Sequence, residues 1–271
     1  MKKYALLGHN IAYSKSPELH QLIGMAAGEE CQYDLIDVKG DELEAALKRL
    51  NAEYDGYNVT KPYKEVLIKQ ELVDIVTPVA MELGAANTVL IKDGMTTAFN
   101  TDNFGFFQSW KMNRVRAEKG WKCLVLGAGG AARAVVSVVS FNFPVTVCNR
   151  DVEKAKKMLE EMKIKDSTAV SREEVQGDFD VIINATTLGL DGENSLPEGV
   201  DLSKAKVCMD LIYEPSETPF LEAAREAGVP QVVNGRWMLI SQAIAAQQIW
   251  RGKDFDKDQL KEIFLAVETM I

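Results

Sequence analysis

The sequence predicts an α/β protein of two domains, and three observations carry that prediction. Short apolar runs alternate with amphipathic stretches over the first hundred residues, the same rhythm restarts at Trp121, and the segment between them, KMNRVRAEKG, is polar and cationic. A chain of 271 residues also exceeds the usual size of one compact domain. With 46% hydrophobic and 26% charged residues it can bury a full core without disulfides or a structural metal.

The first rhythm runs YALLG, the helical pattern SPELHQLIGMAAG, CQYDLIDV, the helical DELEAALKRL and YDGYNV. This β-α-β-α-β order implies a mainly parallel sheet, because parallel strands need crossover connections and helices supply them. VDIVTPVAMELGAANTVLI, DGMTTAFNTD and a helix beginning near Asp102 follow. The second rhythm runs from WKCLVLGAGGAARAVVSVVSFN through PVTVCNR, DVEKAKKMLEEMK, DVIINAT and AKVCMDLIY to TPFLEAAREAG. The last stretch reads as two helices whose apolar positions Leu239, Ala243, Ile244, Ile249 and Trp250 need a partner surface, expected on the first domain. The expected division is therefore 1–113, completed by 236–271, and 114–235.

The net charge of −9, with no cluster of Lys and Arg, argues against a nucleic-acid partner. MKKYALLGHN has too brief an apolar stretch for a signal peptide or a membrane span, so a cytoplasmic protein with no membrane partner is expected. Cys31, Cys123, Cys148 and Cys208 are far apart and read as reduced and buried; His9 and His20 lack metal-ligand spacing, and no metal is expected.

The short apolar strand Lys122–Leu126 runs into Gly127, Ala128, Gly129, Gly130, Ala131 and Ala132, with a small-residue helix expected over Arg133–Ser140. Gly127 permits the tight turn, Gly129 lets the backbone approach a pyrophosphate, and Ala132 allows helix and strand to pack closely. The free N–H groups and positive dipole end of that helix face the anion. This is the pattern of a nicotinamide dinucleotide site. At the end of the next strand, where the ribose-reading residue belongs, stand Asn149 and Arg150 in place of an acid. Arg150 suits a 2′-phosphate and favours NADP, while Asp151 offers an acceptor for ribose hydroxyls, which would suit NAD.

Three polar segments lie at expected strand ends, where ligand crevices form in parallel α/β sheets: Tyr13–Pro17, Asn58–Lys64 and Asn100–Asp102. Their hydroxyls, amides, lysine and carboxylate suit a small, polyhydroxylated, anionic substrate. Oxidising a ring carbinol requires a group that manages the hydroxyl proton as hydride leaves, and Lys64 is the candidate, either as a neutral base or as a charged stabiliser. Plainer roles stay open for the others: Ser14 and Ser16 as helix caps, Asn58 and Asn87 as partners of backbone groups, Tyr213 and Gln242 as packing residues.

SKSPELH, NVTKPYK, GAANTV, NTD, GAGGAARA, NR, NATTLGL, DLIYEP and GRWMLISQA together resemble the shikimate dehydrogenase family over essentially the whole chain. The resemblance implies a substrate-binding domain followed by a Rossmann-type domain, and NADP-linked, reversible reduction of 3-dehydroshikimate to shikimate on the route to chorismate and the aromatic amino acids. It implies that Ser14 and Ser16 hold the substrate carboxylate with help from Tyr213, that Thr60, Asn87, Asp102 and Gln242 take the ring hydroxyls, and that Lys64 and Asp102 form the catalytic pair. Gly127, Ala128, Gly129, Gly130, Ala131, Asn149, Arg150, Lys154 and Gly235 are its expected cofactor residues. The chain departs from the family pattern at Tyr13, Phe99, Asn103 and Asp151. A quinate or dual-specificity enzyme using NAD is the alternative, a non-catalytic dinucleotide sensor is the alternative of another class, and a monomer or homodimer is expected.

Overall fold

The structure is a computed structural model that describes residues 1–69, 73–116 and 118–268. Ala117, in the expected connection, and residues 269–271, at the end of the returning segment, lie outside the described residues. The chain divides into two compact units, Met1–Gly105 with Ile240–Ile271, and Phe106–Leu239.

The first unit contains β1 (Lys2–Gly8), α1 (Ser16–Ala26), β2 (Cys31–Asp37), α2 (Leu43–Glu53), β3 (Gly56–Val59), α3 (Lys64–Leu67), β4 (Ile75–Val76), α4 (Pro78–Leu83), β5 (Thr88–Lys92) and β6 (Met95–Phe99), and α5 (Asp102–Met112) starts from it. Its sheet has the order β2-β1-β3-β5-β6-β4. The strands β2, β1 and β3 run parallel, as does the β4–β6 pair, whereas β5 is antiparallel to both neighbours. The reversal has a local cause: Asp93 and Gly94 both take positive φ, 53° and 76°, which closes a two-residue hairpin whose twist matches its strands.

The second unit contains β7 (Cys123–Leu126), α6 (Gly130–Val139), β8 (Val145–Cys148), α7 (Val152–Glu161), β9 (Ser167–Val170), β10 (Gly177–Asp178), β11 (Val181–Asn184), β12 (Val200–Asp201), β13 (Val207–Asp210), α8 (Pro219–Glu226) and β14 (Gln231–Val233). Its main sheet, β14-β13-β11-β7-β8-β9, is parallel throughout, the doubly wound order with its switch point between β7 and β11. All residues of β7, β11 and β13 are buried, and up to the polar residues Asn184 and Asp210 that close β11 and β13 they read as apolar runs, because burial on both faces leaves no solvent side.

The chain returns within α9 (Arg236–Arg251) and ends with α10 (Lys257–Glu268). Trp250 anchors the return. Its ring stacks on Tyr4 with centroids 4.2 Å apart, and its Nε1 donates to the Val89 carbonyl at 2.9 Å. Gly56 makes room for it, since a Cβ there would lie 2.5 Å from Trp250 Nε1. All four cysteines are free and buried. Among the described residues no helix is long and apolar enough to cross a membrane.

Candidate active site

Lys64 begins α3 and Asp102 begins α5, and the β5–β6 hairpin brings the two helix starts together. Its register pairs Thr88 with Phe99, so Asn87 faces the Asn100–Asp102 turn. Backbone bonds from Asn87 N to Phe99 O (3.0 Å) and from Ala86 N to Lys64 O (2.9 Å) tie the three segments. Lys64 Nζ donates to Asp102 Oδ2 at 2.6 Å, with the ammonium side chain 18% exposed and the carboxylate 6%. Asn87 Nδ2 donates to the other carboxylate oxygen at 3.0 Å, while Asn87 Oδ1 accepts the Thr101 N–H at 2.6 Å. A buried carboxylate with a cation on one oxygen and an amide on the other has a fixed orientation.

Gln242, on α9, accepts a long bond from Asn87 Nδ2 at 3.4 Å and so joins this cluster. Thr60 follows β3; its N–H donates to Leu7 O at 2.8 Å, and it is part-exposed just before the Lys61–Pro62 turn that leads to Lys64. Ser14 and Ser16 form a separate pair at the start of α1, with Ser14 Oγ donating to Ser16 Oγ at 3.1 Å and accepting the Ser16 N–H at 3.2 Å. The N-cap position itself is Lys15, so Ser16 does not cap; Ser14 alone takes a free helix N–H. Asp37 shapes the turn before them by accepting the Asn10 and Ile11 N–H groups at 3.0 and 2.9 Å. The Ile11 bond is the largest cause that holds its carboxyl below the ordinary value. Asn58 has the plainer role: its amide donates to Asn87 O and Thr88 Oγ1, and its oxygen accepts from Tyr33. Tyr13 is exposed, with Lys61 Nζ 5.5 Å from its ring centroid.

In the second unit the glycine turn follows β7, and α6 starts at Gly130, three residues before the expected helix at Arg133. Gly127 has φ of +106°, and a Cβ there would meet Thr186 Cγ2 at 3.0 Å and Ala185 O at 3.2 Å. Gly129 is the N-cap and no side chain caps the helix, so the first N–H groups, including those of Gly130 and Ala131, remain for an anion. Ala128 is buried against the core and packs the turn. These residues fit a dinucleotide pyrophosphate.

Arg150 is exposed after β8. Asn149 Nδ2 donates to Asp151 O at 2.8 Å, and Asp151 is the N-cap of α7, where its Oδ1 accepts the Lys154 N–H at 3.1 Å. The acid after Arg150 is therefore engaged by its own helix. An exposed guanidinium fits a 2′-phosphate.

Sequence reasoning missed a buried network at the C-terminal edge of this sheet. Asn184 and Asp210 end adjacent strands in register, and Asn184 Nδ2 donates to Asp210 Oδ1 at 3.0 Å. Asp210 also accepts the Ile212 N–H and the Thr218 hydroxyl, and burial outweighs these bonds to push its carboxyl above the ordinary value. Polar residues closing apolar strands were the signal, seen in DVIINAT and AKVCMDLIY. Tyr213 lies in the segment that Asp210 secures, part-buried. Gly235 sits against the same segment: its N–H donates to Ile212 O at 2.9 Å, and a Cβ would lie 2.0 Å from Leu211 O.

A doubly wound parallel unit with an uncapped glycine turn, together with an α/β unit carrying a part-exposed lysine on a buried aspartate, defines a two-domain nicotinamide-dependent dehydrogenase. Family models described as "Shikimate dehydrogenase substrate binding domain" and "Shikimate / quinate 5-dehydrogenase" match residues 6–89 and 112–189. A shikimate dehydrogenase (NADP(+)) of Ignicoccus hospitalis is 39% identical over 250 residues, covering 92% of this chain and 93% of that protein. One from Clostridium perfringens is 36% identical over 271 residues, covering 97% of each. The crystal structure of shikimate 5-dehydrogenase from Thermus thermophilus in complex with NADP(H) and shikimate superposes with a TM-score of 0.81 at 32% identity, covering 98% of this chain and 100% of that one. The chain belongs to the shikimate dehydrogenase family.

Proposed function

We propose that the protein is an NADP-dependent shikimate dehydrogenase that reversibly reduces 3-dehydroshikimate to shikimate. The observation that carries this reading is the Lys64–Asp102 pair, with Asn87 on the second carboxylate oxygen. Lys64 presents a charged donor whose direction Asp102 sets. In the direction of reduction it donates a proton to the ketone oxygen as that oxygen gains charge; in oxidation the hydroxyl proton returns to the pair. Being part-exposed, Lys64 exchanges protons with solvent between turnovers.

Ser14 and Ser16 bind the substrate carboxylate, and Thr60, Asn87 and Gln242 orient the ring hydroxyls. When bound, NADP supplies or accepts the hydride at the substrate carbon. Gly127, Ala128, Gly129, Gly130 and Ala131 hold its pyrophosphate, Asn149, Arg150 and Lys154 its 2′-phosphoribose, and Gly235 lines its site. The capping role of Asp151 supports NADP over NAD, because the carboxylate is already engaged by α7. The reading carries a cytoplasmic location, a small-molecule substrate, and a monomer or homodimer.

The test is to mix the protein with shikimate or quinate, each with NADP or NAD, and follow reduced nicotinamide. Turnover with shikimate and NADP is expected to exceed the other three pairings. Absence of signal in all four would remove the dehydrogenase assignment.

A further inference from the structure

The buried support of the Lys64–Asp102 pair contains a group that the chemistry above does not use. Tyr33, on β2, is 4% exposed, and its hydroxyl donates to Asn58 Oδ1 at 2.7 Å. Asn58 Nδ2 then donates to Thr88 Oγ1 at 2.9 Å and to the Asn87 carbonyl at 3.1 Å. Thr88 Oγ1 lies 3.1 Å from Thr101 Oγ1, and Asn87 Nδ2 donates to Asp102 Oδ1 at 3.0 Å. A continuous route of buried polar contacts thus runs from Tyr33 to the catalytic carboxylate, through residues of β2, β3, β5 and the turn before α5.

The phenol gives that route its direction. An amide can turn end for end, and only one orientation of Asn58 aims its NH2 at Asn87 and Thr88. With the phenol donating to Oδ1, that orientation gives both ends of the Asn58 amide their partners. Removing the hydroxyl leaves Oδ1 buried without its donor, a cost the side chain escapes only by moving away from Asn87. The ring itself is pinned, with His20 stacked on it at 4.4 Å and 10°. Burial keeps the phenol a neutral donor by raising its pKa well above the ordinary value.

We propose that Tyr33 is a positioning residue for the reaction: its hydroxyl orients Asn58, which holds Asn87 and Thr88 where they fix the Asp102 carboxylate beneath Lys64. The inference rests on the shikimate dehydrogenase reading of that pair. Tyr33 touches neither the pair nor the cofactor residues, but its hydroxyl also meets the Ser16 side chain; a loss acting through Ser16 is read in KM for shikimate, and a loss acting through Asn58 in kcat.

The experiment compares the wild-type chain with Tyr33→Phe, Thr88→Val and, as control, Tyr54→Phe. Tyr54 is a second enclosed tyrosine of the same unit, whose hydroxyl donates to Asp34 at 2.9 Å, away from this route. Steady-state kinetics with shikimate and NADP are measured well below each variant's melting temperature. Tyr33→Phe and Thr88→Val are expected to lower kcat about tenfold, the scale of one buried hydrogen bond, with KM for NADP unchanged. Tyr54→Phe is expected to keep the wild-type kcat. A purely structural role for Tyr33 would lower the melting temperature and leave kcat alone. Wild-type kcat in both Tyr33→Phe and Thr88→Val would overturn the proposal while leaving the dehydrogenase reading intact; an inactive wild type would remove both.

Discussion

Lys64 and Asp102 meet at 2.6 Å from the first turns of two helices 38 residues apart in sequence, and the carboxylate is the more deeply enclosed partner. Asn87 occupies its other oxygen, so the pair is held in one orientation before substrate arrives. Lys64→Met removes the proposed proton donor, and Asp102→Asn removes the charge proposed to aim it. Each is expected to lower kcat by ~10²- to 10⁴-fold, the usual contribution of a positioned acid or base. NADP affinity, measured by fluorescence titration, should stay within about twofold of wild type, because a wider change would mean damage beyond the pair. Full turnover in both variants would remove the catalytic assignment.

The proposed reading gives Arg150 the 2′-phosphate, while Asp151 caps α7. Arg150→Leu is expected to raise the Kd for NADP about 10- to 100-fold, the range for losing charge-assisted bonds to a phosphate, with NAD binding little changed. Asp151→Ala should cost ~1 kcal/mol of stability through loss of the α7 cap, while Asp151→Ser retains most of it. Titration of each variant with both dinucleotides, alongside urea unfolding, checks the pair of expectations. An unchanged NADP preference in Arg150→Leu would dismiss its role.

Gly235 is a residue where packing and binding can be told apart. Its would-be Cβ lies 2.0 Å from a backbone oxygen that has no flexible end to move aside. Gly235→Ala is therefore expected to displace the Leu211–Tyr213 segment and to cost at least ~1–3 kcal/mol by the overpacking rule. Chemical denaturation measures that loss. If stability is unchanged, the close approach to Leu211 is not a constraint on the fold.

His20 predicts the acid limb of stability. It is fully enclosed between Tyr33 and Trp250, with Gln247 Nε2 donating to its Nδ1 at 3.2 Å. Burial lowers its pKa to about 3 from an ordinary 6.5. The folded state thus favours the neutral ring, while the unfolded chain binds a proton below pH 6.5. The contribution to stability is complete above 6.5 and falls on acidification, by ~1.4 kcal/mol per pH unit until the folded ring itself titrates near 3. In His20→Phe the slope of stability against pH between about 6 and 4 should be shallower by one proton. An identical slope in urea denaturation would show that His20 does not titrate this way.

Much of this protein is determined locally and is therefore legible in its sequence. Strands buried on both faces read as near-continuous apolar runs, so β7, β11 and β13 announce a parallel sheet. The turn at Gly127 demands positive φ and a small residue at once, and only glycine answers both. The proposed site residues Ser14, Ser16, Thr60, Lys64 and Asp102 could be named because they interrupt apolar surroundings at strand ends, whereas Asn87 followed from the family resemblance of GAANTV.

Their partnerships could not, because hydrogen bonds between residues far apart in sequence leave no periodic trace. That Asn87 grips Asp102, that Asn58 serves the backbone and Tyr33, and that Asn184 and Asp210 close adjacent strands are facts of register across sheets. Asp151 makes the same point: in the sequence it offers an acceptor for ribose hydroxyls, and only the start of α7 one residue later shows its carboxylate capping a helix. Sequence determined which chemistry was present; tertiary structure decided which atoms face one another, because distance and orientation arise only when the sheets have closed.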